Sequence, residues 1–153
     1  MRTISREIVS ALIFSKDNKL LMGLKDPHAG GVYADCWHIP GGGVDESEDQ
    51  LAALKREVFE ETGINIASSK INLVDNEGRG ETEKTLKDSG EIVLCQMSFN
   101  VYRVDLAKNA SEIVLQPQDD LIRLEWVVLD DLAHYTLTPP STSLFTRLGY
   151  FAS

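Results

Sequence analysis

The most informative stretch of this 153-residue chain spans residues 37–64 and reads WHIPGGGVDESEDQLAALKREVFEETGI. A short apolar segment leads into three consecutive glycines, and apolar residues then recur at helical spacing. Ser47 and Gln50 have the form of a capping box, and Gly63 is a residue type that commonly ends a helix. The stretch therefore predicts a helix from about Glu48 to Thr62, entered from a glycine-rich turn.

Three glutamates give this predicted helix an anionic side. At 100° per residue, Glu57, Glu60 and Glu61 fall within about a third of the helix circumference. Like charges at this spacing cost roughly 0.2–0.5 kcal/mol per pair, so the cluster weakens a helix that has only a structural role. The apolar residues predicted on the opposite, packed side are Leu51, Leu54, Val58 and Phe59.

A hard divalent cation reverses that cost. Clustered carboxylate oxygens are the ligands that Mg²⁺ or Mn²⁺ prefers, and substrate phosphate oxygens can complete the coordination shell. The alternative is a solvated acidic helix face with no ligand. The spacing favours the first interpretation, a site where metal and phosphate meet.

The spacing also carries a resemblance. The pattern Gly42-x5-Glu48-x7-Arg56-Glu57-Val58-x-Glu60-Glu61-x-Gly63-Ile64 resembles the Nudix box at every position. The preceding residues 37–42 are similar to that family's approach to the box. The resemblance implies a MutT-like hydrolase of nucleoside diphosphate derivatives, with the Nudix fold: an α/β/α sandwich around a mixed β-sheet, formed by residues 1–153 as a single domain.

The resemblance also implies roles for individual residues. Glu57, Glu60 and Glu61 would be metal ligands and catalytic residues, with the Gly41 carbonyl as a further ligand of Mg²⁺ or of Mn²⁺ in its place. Arg56 would orient the carboxylates. Supporting and substrate-contacting roles fall to Gly42, Gly43 and Glu48.

The general base is not fixed by the motif. Glu57 is one candidate, because a carboxylate must accept the proton of the attacking water. Acidic residues outside the box compete for that role or for a further metal position: Glu91, Glu112, Asp119, Asp120 and Glu125.

Several residues outside the box are candidate substrate contacts. Lys25, Tyr33, His28 and His38 flank the glycine-rich segment, although ordinary structural roles fit them as well. Residues 76–90 are polar and glycine-containing, which predicts a loop able to contact substrate or a solvated insertion. Its basic residues are Arg79, Lys84 and Lys87. Large aromatics more often build the core than stack on bases, which is our expectation for Trp37, Phe99 and Trp126.

The composition argues against some classes of binding partner. The formal charge of −9 argues against a duplex nucleic acid, because such proteins carry a broad basic surface. No apolar run is long enough for a membrane span and no secretory signal is visible, so we expect a soluble cytoplasmic protein that does not bind membranes. Cys36 and Cys95 form no CxxC motif and are assigned no role. Similar proteins are frequently homodimers, so a homodimer is an open alternative to a monomer.

The remaining pattern predicts strands around the helix. Residues 4–14 and 19–24 favour a hairpin, and short or extended segments are predicted at 36–39, 64–74, 92–104 and 121–129. A terminal helix is predicted over 141–150, after Pro139 and Pro140. This order favours a mixed sheet with helices packed against it.

The expected reaction is attack of a metal-activated water on phosphorus. A chain this short looks more like the members of that family that act on nucleoside triphosphates, oxidised ones included, so the resemblance implies a nucleoside monophosphate as product. The alternatives are ADP-ribose or nucleotide sugars, and dinucleoside polyphosphates or capped RNA. A rival from another class is a non-catalytic Nudix module that senses a nucleotide.

Overall fold

The computed structural model describes residues 1–28, 33, 35–118 and 121–151. Within this part of the chain, eight strands form one mixed sheet, and no helix is long and apolar enough to cross a membrane. The strands are β1 (Arg2–Phe14), β2 (Leu20–Lys25), β3 (Trp37–His38), β4 (Gly41–Gly43), β5 (Lys70–Asp75), β6 (Arg79–Thr85), β7 (Ile92–Asp105) and β8 (Leu121–Val127). The α-helices are α1 (Gln50–Thr62) and α2 (Pro139–Arg147), with 3₁₀ helices at Ala110–Glu112 and Leu129–His134.

The centre of the sheet is a long parallel pair. β1 and β7 pair from Arg2 with Val93 to Phe14 with Asp105. The main strand order is β3-β2-β1-β7-β5, with β4 beside β1, β6 beside β7 and β8 beside β2. Each of these other pairings is antiparallel, so the predicted mixed sheet is confirmed.

Alternate residues of β1 pack against different helices. Val9 and Ala11 belong to a core cluster that contains Leu54 of α1. Leu12 belongs to a second cluster that contains Phe145 of α2. Since neighbouring side chains of a strand point to opposite faces, the sheet lies between the two helices. This is the predicted α/β/α sandwich.

Helix α1 differs from its prediction at the start and on its packed side. Asp49 is the N-cap, and its side chain accepts a hydrogen bond from the Ala52 amide at 2.8 Å. The helix therefore begins at Gln50, and Ser47 is not the cap. The predicted end is right, since Gly63 has φ 78° and its amide donates to the Phe59 carbonyl. Leu51 and Phe59 were expected to pack but are exposed, and the buried residues are Ala53, Leu54, Val58, Glu61 and Thr62.

The predicted loop at 76–90 is wrong in its central part. β6 pairs antiparallel with β7 from Arg79–Ser98 to Thr85–Ile92. Its side chains alternate between exposed and half-buried positions along its whole length. A strand at the rim of a sheet buries little apolar surface, so its polar composition resembles that of a loop.

Three further boundaries also differ. The strand within residues 64–74 is shorter and later than predicted, at Lys70–Asp75. The glycines at 41–43 are not a turn but strand β4. Helix α2 begins at Pro139, with the Thr138 side chain capping the Ser141 amide, because proline is well tolerated in the first turn of a helix.

Candidate active site

A cleft of about 800 Å³ lies on the α2 face of the sheet. Glu57 and Glu61 of α1 lie in its wall beside Gly41 and Gly42 of β4. Met97, Phe99 and Val101 of β7 also line it, as do residues of β6 and the first turns of α2. The cleft therefore joins an acidic, glycine-lined region to an apolar sheet surface.

Glu61 is fixed deep in this acidic region. It is 3% exposed, and its Oε1 accepts a hydrogen bond from the Gly41 amide at 2.7 Å. A buried carboxylate is costly unless hydrogen bonds or cations compensate it. The Gly41 amide supplies one such contact and ties α1 to β4.

The glycines of β4 permit close approach between strand and helix. A β-carbon on Gly42 would lie 2.4 Å from the Glu57 carboxyl carbon, and one on Gly41 would lie 2.2 Å from the Val9 carbonyl oxygen. None of the three glycines has a positive φ, so their backbone angles do not require glycine. They are required by the space that the carboxylate and β1 occupy.

Arg56 connects the acidic side chains to β4. Its Nη1 donates to Glu57 Oε1 at 2.8 Å and to Glu60 Oε2 at 3.3 Å, and its Nη2 donates to the Gly43 carbonyl at 3.1 Å. Its guanidinium also hydrogen-bonds Glu48. An orienting role for Arg56 would use contacts of this kind, and that role stays a prediction.

The contact between Arg56 and Glu48 shifts the pKa of both side chains. The hydrogen bond to Glu48 raises the pKa of Arg56 above its ordinary value, with a further contribution from Glu57. Arg56 in turn lowers the pKa of Glu48, together with a hydrogen bond from the Asp45 amide. Glu48 is therefore ionised at neutral pH and supports Arg56.

The donor set fits a magnesium ion that substrate helps to bind. In the described part of the chain, no group of three or more His, Cys, Asp and Glu side chains forms a metal cage by itself. Mg²⁺ usually keeps several waters and is held by one or two carboxylates together with substrate phosphates. Glu57 and Glu61 in the cleft wall meet that requirement. Glu60 lies outside the cleft wall with a side chain 46% exposed, and its metal role stays a prediction.

The predicted substrate contacts divide into two groups. Lys25, Tyr33, His38 and Arg79 line the cleft. His28, Lys84 and Lys87 do not. The Arg79 guanidinium donates to the backbone carbonyls of Asn76 and Gly78, so it stabilises the start of β6.

Three of the five acidic residues outside the box that were alternative candidates for the general base or a further metal ligand do not line the cleft. Glu91 pairs with Arg2, Glu112 accepts from the Asn109 amide, and Glu125 accepts from the Tyr135 hydroxyl. None of these three lines the cleft. Asp119 and Asp120 lie outside the described residues.

The structure adds cleft residues that sequence reasoning missed. Glu77 and Glu81 line the cleft from β6 and the residues before it, and Arg147 lines it from the end of α2. Phe99 was expected in the core but belongs to the cleft. An alternating pattern in residues 79–85 could have indicated strand β6, but their polar composition made them resemble a loop.

An ion pair connects α2 to the end of β5 at this cleft. The Arg147 guanidinium donates to both carboxylate oxygens of Asp75, at 3.1 and 2.9 Å, and the Asp75 side chain is 6% exposed. The hydrogen bonds from Arg147 lower the pKa of Asp75. The pair therefore holds the β5–β6 connection against α2.

Replacing this aspartate should give a pH-dependent loss of stability. Because the folded-state pKa is lowered, the stabilisation is present above the ordinary aspartate pKa of about 3.9 and is lost as pH falls below it. We expect Asp75→Asn to lower the free energy of unfolding by about 1–3 kcal/mol at pH 7, and by less near pH 3. Urea unfolding at both pH values measures this. Glu91→Gln, which breaks an exposed pair, is the control, and an equal loss at both pH values for Asp75→Asn would contradict the assignment.

Comparison with known proteins places this site in a family. The NUDIX domain family matches residues 5–148. The MutT protein from Methanosarcina mazei Go1 superposes with a TM-score of 0.71 at 23% identity, over 97% of this chain and 96% of that one. The chain belongs to the Nudix family, and the predicted family, fold and class of pyrophosphate-acting hydrolase are confirmed.

Curated relatives cover different lengths of the chain. An RNA pyrophosphohydrolase from Bartonella quintana is 39% identical over 62 residues, which is 39% of this chain and only 36% of that protein. One from Bartonella clarridgeiae is 26% identical, over 83% of this chain and 78% of that protein. The match of higher identity therefore spans only a minor part of both proteins.

Proposed function

We propose that the chain catalyses Mg²⁺-dependent hydrolysis of a pyrophosphate bond in a nucleoside diphosphate derivative. The preferred substrate in this proposal is a nucleoside triphosphate, oxidised ones included, which yields a nucleoside monophosphate. The observation that carries the proposal is the position of Glu57 and Glu61, at one side of a cleft that continues over apolar sheet surface. Its volume of about 800 Å³ is within the usual range for small-molecule sites.

Glu57, Glu60, Glu61 and the Gly41 carbonyl would hold the magnesium ion, which supplies charge neutralisation at phosphate and makes water a better nucleophile. Glu57 accepts the proton of the attacking water in this proposal. The hydrogen bond from Arg56 holds its Oε1 and orients the carboxylate. Glu61 is more deeply buried than Glu57 and is held by the Gly41 amide, so we assign it the role of permanent ligand.

A nucleoside fits the opposite part of the cleft. Met97 and Phe99 offer apolar and aromatic surface against which a base can stack. Phosphates would then lie toward β4 and α1. This orientation requires no broad basic protein surface, because metal ions neutralise the phosphates locally.

The names of the relatives favour a second candidate, an RNA that carries a terminal pyrophosphate linkage. Several of them are RNA pyrophosphohydrolases. ADP-ribose, nucleotide sugars and dinucleoside polyphosphates differ from both candidates in the group attached to the diphosphate.

The test is turnover across a panel of these substrates with Mg²⁺, with products identified, and again after removal of the metal with EDTA. We expect a nucleoside monophosphate from one preferred class, loss of activity with EDTA, and recovery with Mg²⁺ or Mn²⁺. Activity that persists without divalent metal would overturn the magnesium assignment. Binding of a nonhydrolysable analogue by calorimetry, with no turnover of any substrate, would favour the sensor instead.

A further inference from the structure

Arg6 lies on the same sheet face as the floor of the cleft, next to residues that line the cleft but not itself among them. It pairs in register with Met97 of β7, and Met97 pairs with Gly80 of β6. Paired residues of adjacent strands share a face, and both Met97 and Gly80 line the cleft. On β1 itself, the cleft residue Ile8 is the next residue after Arg6 on this face.

The charged end of Arg6 lies over the glycine strand. A β-carbon built on Gly43 would be 2.0 Å from Arg6 Nη2 and 2.8 Å from its Cζ. The guanidinium thus occupies the space in which a side chain at position 43 would begin. The next residue along β4, Gly42, faces the Glu57 carboxylate from the opposite side of the strand.

Arg6 differs from the other arginines in its contacts. Among the described residues its side chain makes no hydrogen bond or ion pair. Arg79 donates to backbone carbonyls. The remaining arginines each pair with a carboxylate: Arg2, Arg56, Arg103, Arg123 and Arg147.

A guanidinium with no carboxylate partner in the described part of the chain is unexpected in so acidic a protein. The sequence has 24 Asp and Glu against 15 Lys and Arg, so carboxylate partners are abundant. The acidic groups beside β4, Glu48 and Glu57, are already held by Arg56. A half-buried cation with no partner among residues 1–28, 33, 35–118 and 121–151 gains free energy from an external anion.

We propose that Arg6 binds a phosphate of the substrate and selects substrates with a third phosphate. The inference rests on the proposed function and adds a specificity-determining residue outside the Nudix box. Arginine suits this role because its planar guanidinium can donate two parallel hydrogen bonds to phosphate oxygens. Nucleoside triphosphates and triphosphate-ended chains offer that phosphate, whereas ADP-ribose offers a sugar in its place.

Binding of inorganic tripolyphosphate and pyrophosphate with Mg²⁺, measured by calorimetry, tests the proposal without requiring turnover. We expect Arg6→Ala and Arg6→Gln to weaken tripolyphosphate binding by about tenfold or more, and pyrophosphate binding by much less. With an active nucleoside triphosphate, KM should rise similarly while kcat changes by less than about threefold. Arg2→Ala, on the same strand but paired with Glu91, is the matched control.

A compensating pair makes the test sharper. Gly43 has no positive φ, so its backbone accepts a side chain once the Arg6 guanidinium is gone. We expect Gly43→Lys in the Arg6→Ala background to recover most of the lost tripolyphosphate affinity, and Gly43→Met not to. Unchanged tripolyphosphate binding in folded Arg6→Ala and Arg6→Gln, or equal recovery by Met and Lys, would overturn the proposal. A protein inactive on every nucleotide that still shows the Arg6 effect would instead overturn only the proposed function.

Discussion

Glu57→Gln and Glu61→Gln should each lower kcat by on the order of a hundredfold or more, with little change in the melting temperature. Each change removes a negative charge from the cleft wall without removing volume. After Glu61→Gln the side chain keeps an oxygen that can accept the Gly41 hydrogen bond, so the link between α1 and β4 persists. The measurement is steady-state turnover of the preferred substrate beside thermal unfolding.

Two other glutamates provide matched controls for that experiment. Glu91→Gln alters a carboxylate that pairs with Arg2 away from the cleft, and its turnover should equal wild type. Glu60→Gln should have an intermediate effect, because Glu60 reaches the cluster through Arg56. Near-normal kcat in both cleft variants would remove the metal-binding and catalytic assignments together.

Gly42→Ala should abolish most activity while the fold survives. The added methyl group would lie 2.4–2.6 Å from the three carboxyl atoms of Glu57, so that side chain must move. A side-chain end can shift cheaply, but the displaced carboxylate no longer faces β4 in its original position. We expect kcat to fall by about a hundredfold or more, since small misplacements at a reacting centre cost that much.

Gly41→Ala gives the contrasting result. Its added methyl group meets the Val9 carbonyl oxygen at 2.2 Å, and this backbone atom cannot move without disturbing the β1–β4 pairing. We expect a large loss of stability in urea unfolding, whereas Gly42→Ala should unfold close to wild type. Full turnover in Gly42→Ala, or a loss of stability as large as that of Gly41→Ala, would contradict the prediction. The position of the Glu57 carboxylate would then not depend on the space beside Gly42.

The sequence predicted the Nudix box and its helix well because their constraints are local. Residues four apart in a helix lie on the same face, which places Glu57 and Glu61 next to each other. Gly63 ends the helix because its own backbone adopts a positive φ. The cap was misplaced by two residues because Ser47 and Asp49 are both good N-caps. Only the structure shows that Asp49 is the residue whose side chain accepts the Ala52 amide.

The rest of the cleft could not be predicted because it depends on distant pairings. Arg6 contacts Gly43 across β1 and β4, and Arg147 contacts Asp75 between α2 and β5. A single sequence contains no periodicity that links such positions. The strand β6 was missed for a related reason, since its pairing with β7 is visible only in the assembled sheet.

The long β1–β7 pair has a consequence for how the chain acquires its structure. Arg2 meets Val93 and Phe14 meets Asp105, so the central contacts join segments that are far apart in sequence. Chains dominated by such contacts fold slowly, because loop closure costs entropy before the pairing stabilises it. During synthesis, β1 cannot complete its central pairing until β7 has left the ribosome. The late arrival of one strand therefore sets a period in which the nascent chain is most prone to aggregate.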